Sequence, residues 1–343
     1  MRVRVVAALT AALVALIGAA PATAGSPDQR DNGDRRGNKS FTFAVIGDIP
    51  YGDAQVAAFP GRVDQLNADP DVQLVTHLGD IKSGSSLCSD SYFSGVRTQF
   101  DRFTDPLVYT PGDNEWTDCH RPSAGGYDPL ERLAAVRTVF FPAPGRTLGQ
   151  HPISVGSQAS EGYPENVSYE RSRVAFAAVH IVGSNNGLAP WTGNTTPTAE
   201  QTAEVLGRTA ADIELIRDTF AQARADKDRA VVLFTQADMF DATVQSPAYS
   251  DYFAFQAIVR SIAQESARFD GPVYLFNGDS HVYQKDEPLA TGSKWLTFYG
   301  VAAPVSKLTR ITVEGSTAAD EWLKVTVDKH RPAVLTIARI PFS

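Results

Sequence analysis

The chain is poor in cysteine and histidine, and these shortages narrow the chemistry open to it. Its 343 residues include two cysteines, Cys88 and Cys119, and six histidines. Two isolated cysteines lack the paired C-x-x-C spacing of thiolate zinc sites, so they do not predict such a site. No G-x-S-x-G segment occurs, which argues against a secreted hydrolase of the serine type.

Positive charge is also in deficit. The 31 Lys and Arg residues stand against 39 Asp and Glu residues, which gives a net charge of −8. Such a chain repels a polyanion at long range, so we expect no nucleic-acid partner. Hydrophobic residues make up 43% of the chain, which is enough for a substantial core.

Only one long apolar run occurs, and it lies at the N-terminus. Arg2 and Arg4 precede an alanine-rich stretch over residues 5–20, and an Ala-Thr-Ala triplet ends at Ala24. This order of charge, apolar core and small residues predicts a signal peptide over residues 1–24, cleaved after Ala24. A membrane anchor is the alternative, but the stretch is short for a span. We therefore expect a secreted or extracytoplasmic protein with no stable membrane anchor after cleavage.

The rest of the chain is expected to form a leader and one domain. Residues 25–39 are polar and lack apolar periodicity, which predicts a flexible leader. No repeat or linker divides residues 40–343, so we expect a single domain there. Export to an oxidising compartment favours a disulfide between Cys88 and Cys119 over two free thiols.

Short runs of β-branched residues alternate with helical patterns along this domain. The predicted strands cover residues 41–46, 72–78, 106–110, 166–171, 173–182, 230–235 and 273–276. Period-two alternation predicts further strands at residues 295–299, 308–313, 322–327 and 334–337. The predicted helices cover residues 54–67, 90–103, 129–141, 198–225 and 251–269. This order predicts an α/β fold in which two mixed β-sheets pack face to face as a β-sandwich flanked by helices.

Four of the apolar runs end in a Gly-Asp pair. The pairs are Gly47-Asp48, Gly79-Asp80, Gly112-Asp113 and Gly278-Asp279. One such pair is ordinary turn chemistry, whereas four at equivalent strand ends would bring four carboxylates together. Their repulsion would raise their pKa values unless they shared a cation, so the pattern predicts a metal site.

The spacing of these pairs resembles the motif pattern of the calcineurin-like metallophosphoesterases, over about residues 41–283. That pattern runs D-x-H, G-D, G-N-H-[DE], a lone H and G-H-x-H. The first motif keeps Asp48 and has Pro50 in place of its histidine, and the second, with Asp80, is intact. The third has Asp113 and Asn114 where the family has asparagine and histidine.

The last two motifs also differ from the family pattern. Gln236 ends a strand where the family has its lone histidine. In the fifth motif Asp279 replaces the first histidine and His281 retains the second. The resemblance implies a four-layer metallophosphoesterase-like fold.

It also implies two metal positions. The first would be formed by Asp48, Asp80 and His281, and the second by Asp80, Asp113, Gln236 and Asp279. Because oxygen replaces imidazole at the second position, magnesium, manganese or calcium would suit it better than two zinc ions. We expect a centre of one or two divalent ions.

The activity implied by the resemblance is hydrolysis of a small phosphomonoester or phosphodiester by metal-activated water. Asn114 and His281 are the expected catalytic residues at motif positions. Asn114 does not titrate, so His120 or Glu115 is a candidate replacement proton donor. His120 is also compatible with a surface loop held by Cys119. The alternative function is a catalytically inactive binding module with a structural metal or none, and the sequence carries no signal for an oligomeric state.

Several other residues near the motifs could contact substrate or serve the structure of the loops. Arg121 follows His120 and suits a phosphate contact, because its planar guanidinium matches phosphate oxygens. Lys82 is predicted to be a solvated charge rather than a phosphate ligand. Tyr51 and Trp116 are predicted to line a cleft or to pack under a loop.

Overall fold

The computed structural model describes residues 41–316, 319–328 and 330–343. The predicted signal peptide and leader lie outside these residues and stay predictions. Within the described part, no helix combines the length and the hydropathy needed to span a membrane.

Two mixed β-sheets form the centre of the described part. The first has five strands, in the order Leu335–Pro341 (β12), Glu321–Val327 (β11), Phe41–Ile46 (β1), Val72–His77 (β2) and Leu107–Tyr109 (β3). The second has seven, in the order Gly156–Gln158 (β4), Tyr163–Arg171 (β5), Val174–Ala178 (β6), Ala230–Phe234 (β7), Val273–Asn277 (β8), Leu308–Thr312 (β10) and Gln284–Asp286 (β9). The runs β1-β2-β3 and β6-β7-β8-β10 are parallel, and the other pairs are antiparallel.

The two sheets pack face to face through aromatic side chains. Phe43 of β1 is fully buried, and its ring lies 5.6 to 6.3 Å from the rings of Phe176, Phe234 and Phe276 in the second sheet. Side chains of β1, β2 and β11 belong to the same apolar cluster as those of β6, β7 and β8. The predicted β-sandwich is therefore confirmed.

Helices cover the outer face of each sheet. The first sheet is covered by Gly52–Ala68 (α1), Asp90–Phe100 (α2) and Pro129–Phe140 (α3). A single turn, Gly183–Asn186 (α4), follows β6. The second sheet is covered by Ala199–Asp226 (α5), Gln256–Arg268 (α6) and Lys294–Tyr299 (α7). The result is a layered α-β-β-α arrangement.

One predicted strand was wrong. Residues 295–299 belong to helix α7, whose first turn is capped by Ser293, with Oγ accepting from Trp295 N at 3.2 Å. Trp295 and Tyr299 are both buried and stand four residues apart, so their spacing fits one face of a helix as well as alternate positions of a strand. Helix α6 also begins later than predicted, after two 3₁₀ turns, at Tyr249–Asp251 and Phe253–Phe255.

The predicted disulfide is confirmed. Cys88 and Cys119 are bonded, with their Cα atoms 5.9 Å apart, and both are fully buried. The bond joins the segment that follows β2 to the 3₁₀ turn Thr117–His120, which follows β3. The loops after the second and third motifs are thus covalently linked.

Candidate metal centre

The ends of four strands bring four aspartates together. Asp48 follows β1, Asp80 follows β2, Asp113 follows β3 and Asp279 follows β8. The first three strands are parallel neighbours, so their carboxyl ends lie at one edge of the sheet. Asp48, Asp80 and Asp279 have φ angles of 52°, 54° and 74°, a left-handed conformation that turns the chain sharply at the strand tip.

The aspartates form two groups of candidate metal ligands. The first donor group is Asp48, Asp80 and His281, and the second donor group is Asp80, Asp113 and Asp279. In each group, one ligand atom per residue lies within 4.8 Å of the others. Asp80 belongs to both groups and is buried, whereas the His281 side chain is 36% exposed. The carboxylate of Asp80, which both groups share, is therefore buried, and solvent reaches the cluster at His281.

Two of the motif glycines make room for carboxylates of other motifs. A Cβ atom at Gly112 would overlap Asp80 Oδ1, and a Cβ atom at Gly278 would overlap Asp48 Oδ2. The absence of a side chain at Gly112, in the third motif, therefore leaves room for Asp80 of the second motif. Gly278, in the fifth motif, leaves room for Asp48 of the first motif in the same way. This interlocking explains why the sequence needs glycine before aspartate at these strand ends.

The electrostatics of the cluster favour a bound cation. Burial raises the pKa of Asp80 well above its ordinary value, and the charges of Asp113 and Glu115 raise it further. Burial and the same Asp113 charge raise the pKa of Asp279. Burial also raises the pKa of Asp48, although the hydrogen bond from His281 opposes this shift. A shared divalent cation would offset both the burial and the repulsion, and mostly carboxylate donors suit magnesium, manganese or calcium.

A family model for calcineurin-like phosphoesterases matches residues 41–283, which contain every residue of both donor groups. The chain belongs to the calcineurin-like phosphoesterase family.

Its structure is similar to GAP50, the anchor in the inner membrane complex of Plasmodium, with 9% identity, a TM-score of 0.42 and 89% of each chain covered. It is also similar to purple acid phosphatase PPD1 from yellow lupin (Lupinus luteus) seeds, with 13% identity and a TM-score of 0.48. That alignment covers 88% of this chain and 54% of the lupin chain, so this chain spans about half of its length. No curated protein matches the sequence at a significant level.

Asn114, at the position of the catalytic histidine in the phosphoesterase pattern, contacts the shared carboxylate. Its Nδ2 donates to Asp80 Oδ2 and to Tyr51 Oη, each at 2.7 Å. The Tyr51 hydroxyl in turn donates to Asp80 Oδ2 at 2.8 Å and lies 3.3 Å from His281 Nε2. Tyr51 was predicted to line a cleft or to pack under a loop, and its hydroxyl lies inside the cluster. The sequence feature that pointed to Tyr51 as a site residue is its position three residues after Asp48, within the first motif segment.

Gln236 faces the cluster through its nitrogen, contrary to the prediction of an oxygen ligand. Its Oε1 accepts a 2.7 Å hydrogen bond from Gly183 N. Its Nε2 therefore points to Asp80 Oδ2 at 3.3 Å and to Asp113 Oδ1 at 3.4 Å. In this orientation Gln236 stabilises two carboxylates as a donor and offers no oxygen to a metal.

His120 has no described contact with the aspartates of the cluster. Its Nδ1 accepts from Thr192 N at 2.9 Å, and its side chain lines an open groove of about 670 Å³ together with Trp191 and Tyr127. Burial and the neighbouring Arg121 lower the pKa of His120, so the ring is neutral at neutral pH. The described contacts therefore give no support to the predicted role of His120 as a proton donor.

Arg121, which follows the turn Thr117–His120, lies beside the third motif. Its Nη1 and Asn114 Oδ1 both lie 2.8 Å from the position that a Cβ atom of Gly84 would occupy. Its Nη2 pairs with Asp118 Oδ2 at 2.6 Å, and the Arg121 side chain is 43% exposed. A fixed and partly exposed guanidinium beside Asn114 is suited to contact an anion.

Lys82 is buried rather than solvated, which corrects the prediction made for it. Its Nζ donates to the carbonyl oxygen of Asn114 at 2.7 Å. The sulfur atoms of Cys88 and Cys119 lie 3.5 and 3.6 Å from the same oxygen. Lys82 and the disulfide together hold the backbone of the third motif, so Lys82 is not available to bind substrate phosphate.

Ser184 is a site residue that carries no sequence signal. It lies in α4, and its Oγ is 3.0 Å from Asp113 Oδ2 and 2.8 Å from Asp118 Oδ1. One hydroxyl hydrogen is shared between the two carboxyl groups in this geometry. Burial and the charge of Asp113 raise the pKa of Asp118 to about 8, and the Arg121 guanidinium opposes this shift.

Proposed function

We propose that this chain is an exported metal-dependent phosphoesterase that hydrolyses a small phosphomonoester or phosphodiester. The observation that carries the proposal is the sharing of buried Asp80 between two donor groups. A carboxylate shared in this way would contribute a ligand to each of two cation positions. Membership of the calcineurin-like phosphoesterase family supports the reaction class, and the predicted signal peptide supports export.

The two donor groups define where divalent cations would bind. Asp48, Asp80 and His281 would hold one, and Asp80, Asp113 and Asp279 would hold a second. Bound there, divalent cations supply Lewis acidity, which acidifies water and neutralises charge on phosphoryl oxygens.

The remaining side chains orient the centre and its substrate. Asn114 and Tyr51 fix Asp80 Oδ2 by two hydrogen bonds, which limits rotation of the shared carboxylate. Burial and the charges of Asp80 and Asp48 raise the pKa of Tyr51, so its hydroxyl keeps its proton and remains a donor. Arg121 would contact phosphoryl oxygens at the edge of the site, because its guanidinium is partly exposed beside Asn114.

A hydrolysis assay tests the proposal. We would remove metal with EDTA and measure hydrolysis of p-nitrophenyl phosphate and bis(p-nitrophenyl) phosphate after adding Mg²⁺, Mn²⁺, Ca²⁺ or Zn²⁺. We expect turnover only with an added cation, and loss of turnover in Asp80→Asn. Asp101→Asn is the matched control, because Asp101 is an exposed aspartate paired with Arg97. Turnover in Asp80→Asn equal to that of the parent chain would refute the proposal.

A second candidate function is a non-catalytic module that binds metal. The observation in its favour is Asn114, an amide that does not titrate, at the family position of a catalytic histidine. Cation binding measured by calorimetry, without hydrolysis of either ester under any of the four metals, would favour this module over the enzyme.

A further inference from the structure

A fully buried arginine lies beside the strand that carries the fifth motif. Arg310 is on β10, which pairs in parallel with β8, and its side chain is 0% exposed. Its Nη1 donates to Asp238 Oδ1 at 2.7 Å and to the Phe240 carbonyl at 2.8 Å. Its Nε and Nη2 donate to the two oxygens of Asp286 at 2.9 and 2.7 Å. A buried guanidinium needs such partners for its N–H groups, so loss of one of these hydrogen bonds would be costly.

Asp238 connects Arg310 to the fifth motif. One of its carboxylate oxygens accepts from Arg310, and the other accepts from Ser280 Oγ at 2.8 Å. Its backbone nitrogen donates to Asp279 Oδ2 at 3.1 Å. Both residues that precede His281 are therefore tied to Asp238, and Asp238 is in turn tied to Arg310.

These contacts determine which oxygen Asp279 presents to the second donor group. Asp238 N bonds Oδ2 of Asp279, and the other oxygen, Oδ1, lies on the side of Asp113. A Cβ atom at Gly183 would lie 2.9 Å from Asp279 Oδ1 and 2.6 Å from Asp113 Oδ2, so these two oxygens border the same space. Holding one oxygen of a carboxylate orients the other toward a metal.

The loop also needs support because of its backbone conformation. Asp279 and His281 have φ angles of 74° and 63°, a region that residues with a Cβ atom rarely adopt. Such conformations persist where surrounding contacts hold them. Within the described structure, the contacts of Asp238 with Asp279 and Ser280 provide part of this support, and the hydrogen bond from Asp279 N to Asp48 provides another part.

We propose that Arg310 is a positioning residue for the metal centre: through Asp238 it holds Asp279 and Ser280 so that Asp279 Oδ1 is presented to the second donor group. This inference rests on the metal centre of the proposed function but not on hydrolysis. Arg310 lies outside every family motif, and its substitution should nevertheless change the metal affinity.

Calorimetric titration of the metal-free chain with Mn²⁺ tests the inference, at a temperature well below the measured unfolding of each variant. We expect Arg310→Lys to weaken binding at the second donor group by roughly 10- to 100-fold, as loss of an outer partner does in other metal sites. Lysine keeps the charge but lacks the fork that bonds Asp238 and Asp286 together. We also expect faster hydrogen exchange over residues 278–282 in this variant.

Arg137→Lys is the matched control. Arg137 also bonds a carboxylate through Nε and Nη2, at Glu165, and has no described contact with either donor group. It should lower thermal stability without changing Mn²⁺ affinity. If Arg310→Lys does not fold, Asp286→Asn replaces it, because Asp286 is 34% exposed and forms the outer end of the same fork. This variant should weaken binding to a smaller extent.

The two proposals fail in different ways. Unchanged Mn²⁺ affinity in folded Arg310→Lys, or in Asp286→Asn where that variant replaces it, would overturn the positioning role while the parent chain still binds metal. Absence of Mn²⁺ binding by the parent chain would overturn the metal centre and, with it, this inference.

Discussion

The hydroxyl of Tyr51 donates a 2.8 Å hydrogen bond to Oδ2 of Asp80, the carboxylate common to both donor groups. Asn114 Nδ2 donates to the same oxygen at 2.7 Å. Two neutral donors thus stabilise negative charge on a carboxylate whose pKa is raised by burial and by its acidic neighbours. They hold Asp80 in place but do not neutralise it, and a cation is the group that would do so.

Removing the Tyr51 hydroxyl should weaken metal binding. Tyr51→Phe deletes the donor to Asp80 and the acceptor for Asn114 while keeping the buried ring. We expect roughly 10-fold lower Mn²⁺ affinity, measured by calorimetry, with an unchanged circular dichroism spectrum. Tyr274→Phe is the control, because the Tyr274 hydroxyl bonds the Ala333 carbonyl away from the motifs. Equal affinity in both variants would contradict a role for the hydroxyl.

Adding one methyl group at Gly112 should disrupt the centre. The new Cβ atom would overlap Asp80 Oδ1 and lie 2.6 Å from Asp80 N. We expect Gly112→Ala to lower the free energy of unfolding by about 1–3 kcal/mol and to abolish Mn²⁺ binding. The control is Gly61→Ala in α1, where nothing lies within 4 Å of the new atom and a gain of about 0.5–1 kcal/mol is expected. Urea unfolding checks both values, and metal binding retained in Gly112→Ala would argue against the interlocked geometry.

The metal-free protein should lose stability as the pH rises from 5 to 8. Burial and the Asp113 charge raise the pKa of Asp118 to about 8 from an ordinary 3.8. Asp48, Asp80 and Asp279 are raised as well. Between pH 5 and 8 these carboxyls have lost their protons in the unfolded chain but retain them in the folded chain, so their contribution makes unfolding more favourable as the pH rises. Burial lowers the pKa of His77 to about 4, which acts in the opposite direction below pH 6.5, but the raised carboxyls outnumber such histidines. The pKa of Glu165 is lowered to about 2, which affects stability only at more acidic pH.

Thermal unfolding of the EDTA-treated chain at pH 5 and pH 8 measures this effect. We expect a lower Tm at pH 8, and a smaller difference between the two values once Mn²⁺ is present. Higher stability of the metal-free chain at pH 8 would show that the carboxylates are not destabilised by burial and repulsion.

Loss of the disulfide should affect stability more than metal binding. The bond joins residues 31 apart in sequence, and constraining a loop of this size stabilises a fold by about 2–4 kcal/mol. The double variant Cys88→Ala, Cys119→Ala should unfold at lower urea concentration. It should still bind Mn²⁺, because Lys82 continues to hold the Asn114 carbonyl. A double variant that folds but no longer binds Mn²⁺ would contradict this division of roles.

Local sequence signals predicted much of the fold and the positions of the acidic residues. Apolar runs and Gly-Asp turns are formed by residues that are neighbours in sequence. The strand ends that carry Asp48, Asp80 and Asp113 could therefore be predicted from the sequence alone. The strand predicted at residues 295–299 was wrong because a five-residue apolar segment fits a helix as well as a strand.

Side-chain orientation could not be predicted, because it depends on residues distant in sequence. Gln236 turns its nitrogen to the cluster because Gly183, 53 residues away, occupies its oxygen. Lys82 is buried because the Asn114 carbonyl, 32 residues away, accepts from it. Ser184 joins the site through α4, a turn with φ angles of 52° and 55° at Ser184 and Asn185 that matches no motif.

The number of metal ions bound per chain is the sharpest test of the proposed metal centre. We would dialyse metal-free protein against Mn²⁺ and count bound ions in the parent chain and in Asp80→Asn, the variant of the carboxylate that both donor groups share. We expect one or two bound ions per parent chain, and their loss or strongly weakened binding in Asp80→Asn. A parent chain that binds no Mn²⁺, Mg²⁺ or Ca²⁺, or an Asp80→Asn variant that binds as the parent does, would contradict it.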